Sequence, residues 1–135
     1  MRVFLDTNVL ASAVATRGLC ADLFREVLLS HHLIVSHPML VELDRVLSTK
    51  FGVGRESVDG LLRLLHQDTT VATGGAAPDV PLEDESDLVI LATAIQGEAD
   101  VFVTGDKAVQ DLRQVCGMKI LSPRQFWEEL VAPSS

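Results

Sequence analysis

The chain reads as an α/β fold, a three-layer α/β/α sandwich around a parallel sheet of about five strands. Short, continuously apolar runs recur along it, as strands buried on both faces require. Between them lie longer stretches in which apolar residues return with the spacing of an amphipathic helix. With 135 residues, 47% of them hydrophobic and 22% charged, the chain fits one folded domain with a core of its own.

Val3-Phe4-Leu5, entered from Arg2, is the first strand. Leu23, Phe24, Val27 and Leu28 place a helix over residues 20–30, and Leu33-Ile34-Val35 follow as the second strand. Ser36 has the chemistry of an N-cap for a helix carrying Leu40, Leu43, Val46 and Leu47, and Pro38 is tolerated in its first turn. Gly52 and Gly54 end that run. Val58, Leu61, Leu62 and Leu65 define another helix, and Thr69–Ala72 a third strand. Residues 73–85, with glycines, prolines and acids, read as an exposed loop. Ser86 is the expected cap of a buried helix through Ile95, which is apolar nearly all round. Val101-Phe102-Val103 is the fourth strand, a short helix starts near Lys107, Lys119-Ile120-Leu121 is the fifth strand, and Pro123–Val131 the last helix. Residues 1–131 thus form a single domain, with 132–135 a loose tail.

Two cysteines, Cys20 and Cys116, cannot build a disulfide framework and suit a reducing compartment, so a cytoplasmic protein is expected. The first residues have the outline of a signal peptide, but Asp6 and Asn8 interrupt the apolar run and no leader is expected. No stretch approaches the length of a membrane span. The net charge of −8 opposes simple phosphate attraction but does not argue against a metal-dependent enzyme whose carboxylates hold cations, so the placement of the acids has to decide.

In a parallel sheet, ligands bind at the carboxyl ends of the strands. Asp6 directly follows the first strand, and Asp106 follows the fourth after Thr104-Gly105. Glu42 lies roughly 9 Å along the helix that leaves the second strand, and Asp87 sits in the first turn of the buried helix. All four segments meet at one rim. Each acid also has a plainer reading: Asp6 as a cap, Glu42 as a solvated helix face, Asp87 as a helix-start carboxylate, Asp106 as a turn former. Together they describe an oxygen-ligand site for Mg²⁺ or Mn²⁺, because clustered carboxylates do not all stay ionised without a cation. There is no HExxH, no zinc spacing and no phosphate-binding GxxxxGK[ST] loop. Asp79, Glu83, Asp84 and Glu85 read as a solvated loop, of which only Asp84 comes into question near the metals.

Leu5-Asp6-Thr7-Asn8-Val9-Leu10 resembles the opening signature of the PIN-domain family. The resemblance continues through Ser36 and Glu42–Leu47, then Asp87–Ala94, and closes on Ala99–Asp106, in family order over nearly the whole chain. The subgroup it resembles is that of VapC-like toxin components of type II toxin–antitoxin pairs. The resemblance implies a Rossmann-like sheet in the order 3-2-1-4-5 and a Mg²⁺- or Mn²⁺-dependent ribonuclease leaving a 5′-phosphate and a 3′-hydroxyl. Asp6, Glu42, Asp87 and Asp106 match the family's acidic quartet, and Asn8 and Thr104 the polar positions that support it. Many relatives carry further acids where this chain has Ser86 and Ala108. Arg17, Arg45 and Lys107, near the site segments in sequence, are candidate phosphate contacts.

Two other readings stay open from residues alone. A haloacid-dehalogenase-like phosphatase also opens on a strand and an aspartate, but wants an acid where Asn8 stands. An RNA-binding module of the same fold without turnover is the non-enzymatic alternative. Apolar residues beyond the core stripes, Leu29, Leu64 and Leu65, pack either as a helical hairpin or at an interface, and the resemblance favours a homodimer, with an antitoxin helix as a further partner.

Overall fold

A computed structural model of the chain describes residues 1–132. The expected tail therefore lies, apart from Ala132, outside the described residues. The strands are β1 (Arg2–Leu5), β2 (His32–Ser36), β3 (Thr70–Ala72), β4 (Val101–Val103), β5 (Gln114–Val115) and β6 (Met118–Leu121). The helices are α1 (Thr7–Ala15), α2 (Leu19–Ser30), α3 (His37–Thr49), α4 (Arg55–Asp68), α5 (Glu85–Gln96), α6 (Lys107–Gln110) and α7 (Pro123–Val131).

The sheet order is β3-β2-β1-β4-β6-β5. Its first five members are parallel, and β5 pairs antiparallel with β6. The expected fifth strand is thus β6, and the expected order holds with a short hairpin strand added at one edge. Central β1 aligns Phe4 with Phe102 of β4, and the two rings stack with centroids 5.2 Å apart. Val3, Phe4, Leu5, Ile34, Val35 and Val103 are fully buried, which explains their continuous apolarity.

Ser36 caps α3, accepting from the Met39 N–H, as the sequence suggests. At α5 the cap is two residues earlier than expected: Asp84, not Ser86, accepts the N–H groups of Ser86 and Asp87. A carboxylate outcompetes a hydroxyl for these donors because its bonds are charge-assisted. Two elements have no counterpart in the sequence reading. In α1, small apolar residues on most sides leave no stripe to detect. In the hairpin, strand β5 is two residues long, and its turn runs through Cys116 and Gly117 at positive φ.

At the sheet's amino edge the Arg2 guanidinium donates to the carbonyl oxygens of Gly97 and Glu98, closing the end of α5. Gly97 needs its missing side chain for space, not for backbone freedom: a Cβ would stand 2.6 Å from Ile34 Cγ2 and 3.4 Å from Ala72 Cβ. Gly97→Ala is expected to push buried Ile34 aside and cost about 1–3 kcal/mol in a denaturant titration. An unchanged midpoint would mean that the contact of α5 with β2 yields freely.

Candidate active site

After β1 the chain turns to β2 and β3 on one side, then returns through α5 to β4 on the other. The carboxyl ends of β1 and β4 therefore border the crevice where the strand order reverses, the place where open α/β sheets bind ligands. Asp6 leaves the end of β1 and Thr104 the end of β4, and both are tied into the sheet, Asp6 N–H to Val103 O at 2.9 Å and Thr104 N–H to Leu121 O at 3.0 Å.

Thr104 joins the two acids that flank the crevice. Fully buried, its hydroxyl donates to Asp6 Oδ2 at 2.8 Å and accepts from the Asp106 N–H at 3.0 Å. Gln110 in turn donates to the Thr104 carbonyl at 2.8 Å. The other Asp6 oxygen accepts the Thr7 N–H at 2.9 Å, so Asp6 is also the cap of α1. Asp106 caps α6 through one oxygen, which accepts from Ala108 and Val109. Asp84 caps α5 in the same one-oxygen manner. The plainer reading of Asp6 as a cap is correct, and it coexists with the site. Each cap sets its carboxylate at a helix N-terminus, where a negative charge is favoured.

Burial pushes the Asp6 carboxyl above its usual range, against the opposing hydrogen bonds from Thr104 and Thr7, and Glu42 and Asp106 add to the rise. Asp87 is pushed up to about 6, first by burial and then by Asp84, Asp106, Asp6 and Glu42. The four expected acids thus act on one another across four segments of chain. Glu42 and Ser86 face a cleft of about 290 Å³ between α3 and α5, walled by Pro38, Val89 and Ile90.

Among the described residues, no three acids, histidines or cysteines are gathered tightly enough to hold an ion as the side chains lie. The donor set nevertheless fits a hard cation. It consists of oxygens, its charges add to the raised proton affinity of Asp6 and Asp87, and one oxygen each of Asp84 and Asp106 takes no protein hydrogen bond among the described residues.

Several expected residues stand apart. Asn8 is exposed in the first turn of α1, and no hydrogen bond among the described residues joins it to the acids. Arg17 is exposed between α1 and α2, and Arg45 is exposed on α3 three residues past Glu42. Lys107 is exposed beside Asp106, with Asp111 at 4.0 Å. The sequence reading brought Asp84 into question near the metals without counting it among the site residues, and it left Gln110 out. Asp84 had one signal, an acid three residues before Asp87 where a cap belongs; Gln110 had none, since its role depends on how α6 folds back on Thr104.

The family model for the PIN domain matches residues 2–108. No curated protein matches the chain. Among solved structures it is similar to a chain of VapBC2 from Rickettsia felis bound to a DNA fragment from their promoter, at 14% identity and a TM-score of 0.61, covering 90% of this chain and 98% of that one. It is similar to a chain of VapBC-1 from nontypeable Haemophilus influenzae, at 20% identity and a TM-score of 0.59, covering 92% and 99%. The PIN domain endonuclease Utp24 is a third, at 19% identity and a TM-score of 0.53, covering 90% and 84%.

The raised Asp87 carboxyl makes stability depend on pH. Between its unfolded value of 3.8 and about 6 the folded state holds the proton more tightly, so the metal-free protein loses stability as pH rises through that window. Asp87→Asn is expected to flatten this dependence relative to wild type, by about 1 kcal/mol because Asp87 is only half-buried and water screens it. Parallel pH–stability curves for the two proteins would show that Asp87 does not feel its neighbours.

Proposed function

The chain belongs to the PIN-domain family, and on that footing we propose that its acidic rim is the active site of a divalent-cation-dependent ribonuclease. The observation that carries this reading is the pair of carboxylates at the ends of β1 and β4, Asp6 and Asp106, joined through buried Thr104, with the Asp87 carboxyl pushed up to about 6 by burial and by Asp84, Asp106, Asp6 and Glu42. Support also comes from the similar structures, one of which is an endonuclease by name. Membership of the family leaves the phosphatase reading without support, and the tuned acids favour turnover over an inert RNA-binding module.

Asp6, Asp87 and Asp106 would hold Mg²⁺ or Mn²⁺, with Glu42 at the cleft wall and Asp84 as an added neighbour. When bound, such a cation supplies Lewis acidity, acidifying water toward neutral pH and offsetting charge on the phosphate. Glu42 orients the attacking water and takes its proton. Thr104 fixes the Asp6 carboxylate and holds Asp106 at a set distance from it, a positioning role. Asn8, exposed near the rim, is kept as a supporting group toward substrate. Arg17, Arg45 and Lys107 would meet backbone phosphates. The products are a 5′-phosphate and a 3′-hydroxyl.

The VapBC complexes support an antitoxin as partner and a toxin's role for this chain. Leu28 and Leu29 on α2 and Leu64 on α4 are exposed, whereas Leu65, expected beside them, is buried at 2%. The hairpin alternative does not describe these helices: α2 packs on α1 and α7, and α4 packs on α3. The exposed leucines are therefore proposed as surface for a second copy or an antitoxin helix. No helix among the described residues is long and apolar enough to cross a membrane. Cys20 and Cys116 are free, in keeping with a cytoplasmic setting.

The wild-type chain is expected to cleave single-stranded RNA with Mn²⁺ or Mg²⁺ and to stop in excess chelator. At about 100 times its dissociation constant the cation should stabilise the fold by about 2.7 kcal/mol. Asp6→Asn should remove both cleavage and most of that stabilisation. Thr104→Val should weaken cation affinity about 10–100-fold, with saturating cation restoring part of the rate. Cation-independent cleavage, or Asp6→Asn at full activity, would refute the proposal. Sedimentation at micromolar concentration is expected to show a dimer, and Leu29→Glu to shift it to monomer; a wild-type monomer of 14.6 kDa would remove the dimer.

A further inference from the structure

Beside the acidic rim, α6, the β5–β6 hairpin and the start of α7 enclose a mainly polar cavity of about 430 Å³. Lys107, Gln110, Asp111, Arg113, Ile120 and Gln125 line it. Two links tie the cavity lining to the site: Lys107 follows Asp106 in the chain, and the Gln110 amide donates to the Thr104 carbonyl.

Its donors are set for an anion. Gln125 accepts the Ser122 N–H at 2.9 Å through its side-chain oxygen, which leaves its NH₂ group as the available end. Arg113 makes no ion pair among the described residues, while Arg55 is paired with Asp44 and Asp59, and Lys119 with Glu129. The Arg113 backbone is held at φ 62°, and its carbonyl accepts from the Ile120 N–H at 2.9 Å. The one acid, Asp111, lies 4.0 Å from Lys107, an exposed and weak pairing. In a chain of net charge −8, this concentration of donors next to a cluster of carboxylates is a local reversal of sign.

We propose that this cavity is a phosphate subsite that takes a backbone phosphodiester of single-stranded RNA adjoining the scissile one. The assignment rests on the ribonuclease reading for its ligand. Arg113 supplies the charged fork, Lys107 a second charge on the side of the acidic rim, and Gln125 neutral donors on the far side. The subsite anchors a strand whose next phosphate lies over Asp6 and Asp106. It offsets locally the repulsion that the acids impose on an incoming polyanion.

The test is the salt dependence of binding of a fluorescent, fully 2′-O-methylated hexanucleotide to the full chain in Mg²⁺. Each phosphate contact on a single strand contributes about 0.7 to the slope of log K against log salt. Arg113→Gln should lower the slope by about 0.7, and Lys107→Gln with Arg113→Gln by about 1.4. Arg63→Gln, the same charge change on the exposed side of α4, should leave it unchanged. Asp111→Asn should tighten binding about twofold or more, which keeps the test decisive if Arg113→Gln fails to fold. A slope unaltered by these variants, no binding of the hexanucleotide, or competition by inorganic phosphate alone without any slope change would overturn the subsite. If the slopes change as expected while wild type cleaves no RNA, the subsite stands and the ribonuclease reading falls.

Discussion

Like charges at short range are the constraint around which this molecule is arranged. A buried or half-buried carboxylate is costly, and several beside one another raise the cost for each. The fold meets that cost locally. Asp6, Asp84 and Asp106 each occupy the N-cap of a helix, where backbone N–H groups and the positive end of the helix dipole stabilise the ionised form. Asp87 lies one turn further in, and it is the acid driven up to about 6. Burial is the first cause of that rise, followed by the charges of Asp84, Asp106, Asp6 and Glu42, and Asp6 is also raised by burial against the bonds it accepts from Thr104 and Thr7. Holding such an acid in the folded state is a standing destabilisation, and a site that gains a cation recovers it.

The parallel sheet makes this arrangement possible. The five parallel strands end at the same edge, so the helix that follows each of them begins there, and these helix N-termini gather without any long-range pairing of side chains. The reversal of strand order on either side of β1 then selects which of those ends face one another. Thr104 completes the coupling. One buried hydroxyl that donates to Asp6 and accepts from the Asp106 backbone converts two strand ends into a single rigid unit.

How far the sequence discloses all this depends on the physical origin of each feature. Strands buried on both faces are written in consecutive apolar residues, so β1, β2, β4 and β6 are legible, as are α2 to α5 from their stripes. The Leu5-Asp6-Thr7-Asn8 run and Thr104-Gly105-Asp106 gave the site's position because strand direction fixes where such acids go. Features set by competition were harder to read. Ser86 and Asp84 are both good caps, and only the folded path of the loop awards the N–H groups to Asp84. The α1 helix hides because alanines and valines on most faces give no periodic contrast, and Leu65 turns inward because it lies on the same face of α4 as buried Val58, two turns earlier. Gln110 acquires its partner only as α6 folds back on Thr104 and leaves no local trace, whereas Ser122 and Gln125 form a capping box whose spacing is written in the sequence.

Net charge, taken as a sum, misleads about partners. A value of −8 spread evenly would repel RNA, but a field is set by where charges lie and which are already neutralised. Arg55 spends its charge on Asp44 and Asp59, Lys119 on Glu129, and Arg2 on the end of α5. These cations stabilise the scaffold and add little to an outward positive field. In the proposed reading a cation among the acids at the rim would withdraw their charge from the balance, and a strand would meet a surface less negative than the composition. Beside the rim lies a short run of chain, residues 106–113, that passes from the Asp106 carboxylate to the Arg113 guanidinium. A substrate with a single phosphate gains little from that step, because it cannot occupy both ends. In the proposed reading a polymer with regularly spaced phosphates can, and the geometry that repels anions in general would then favour a strand over a mononucleotide.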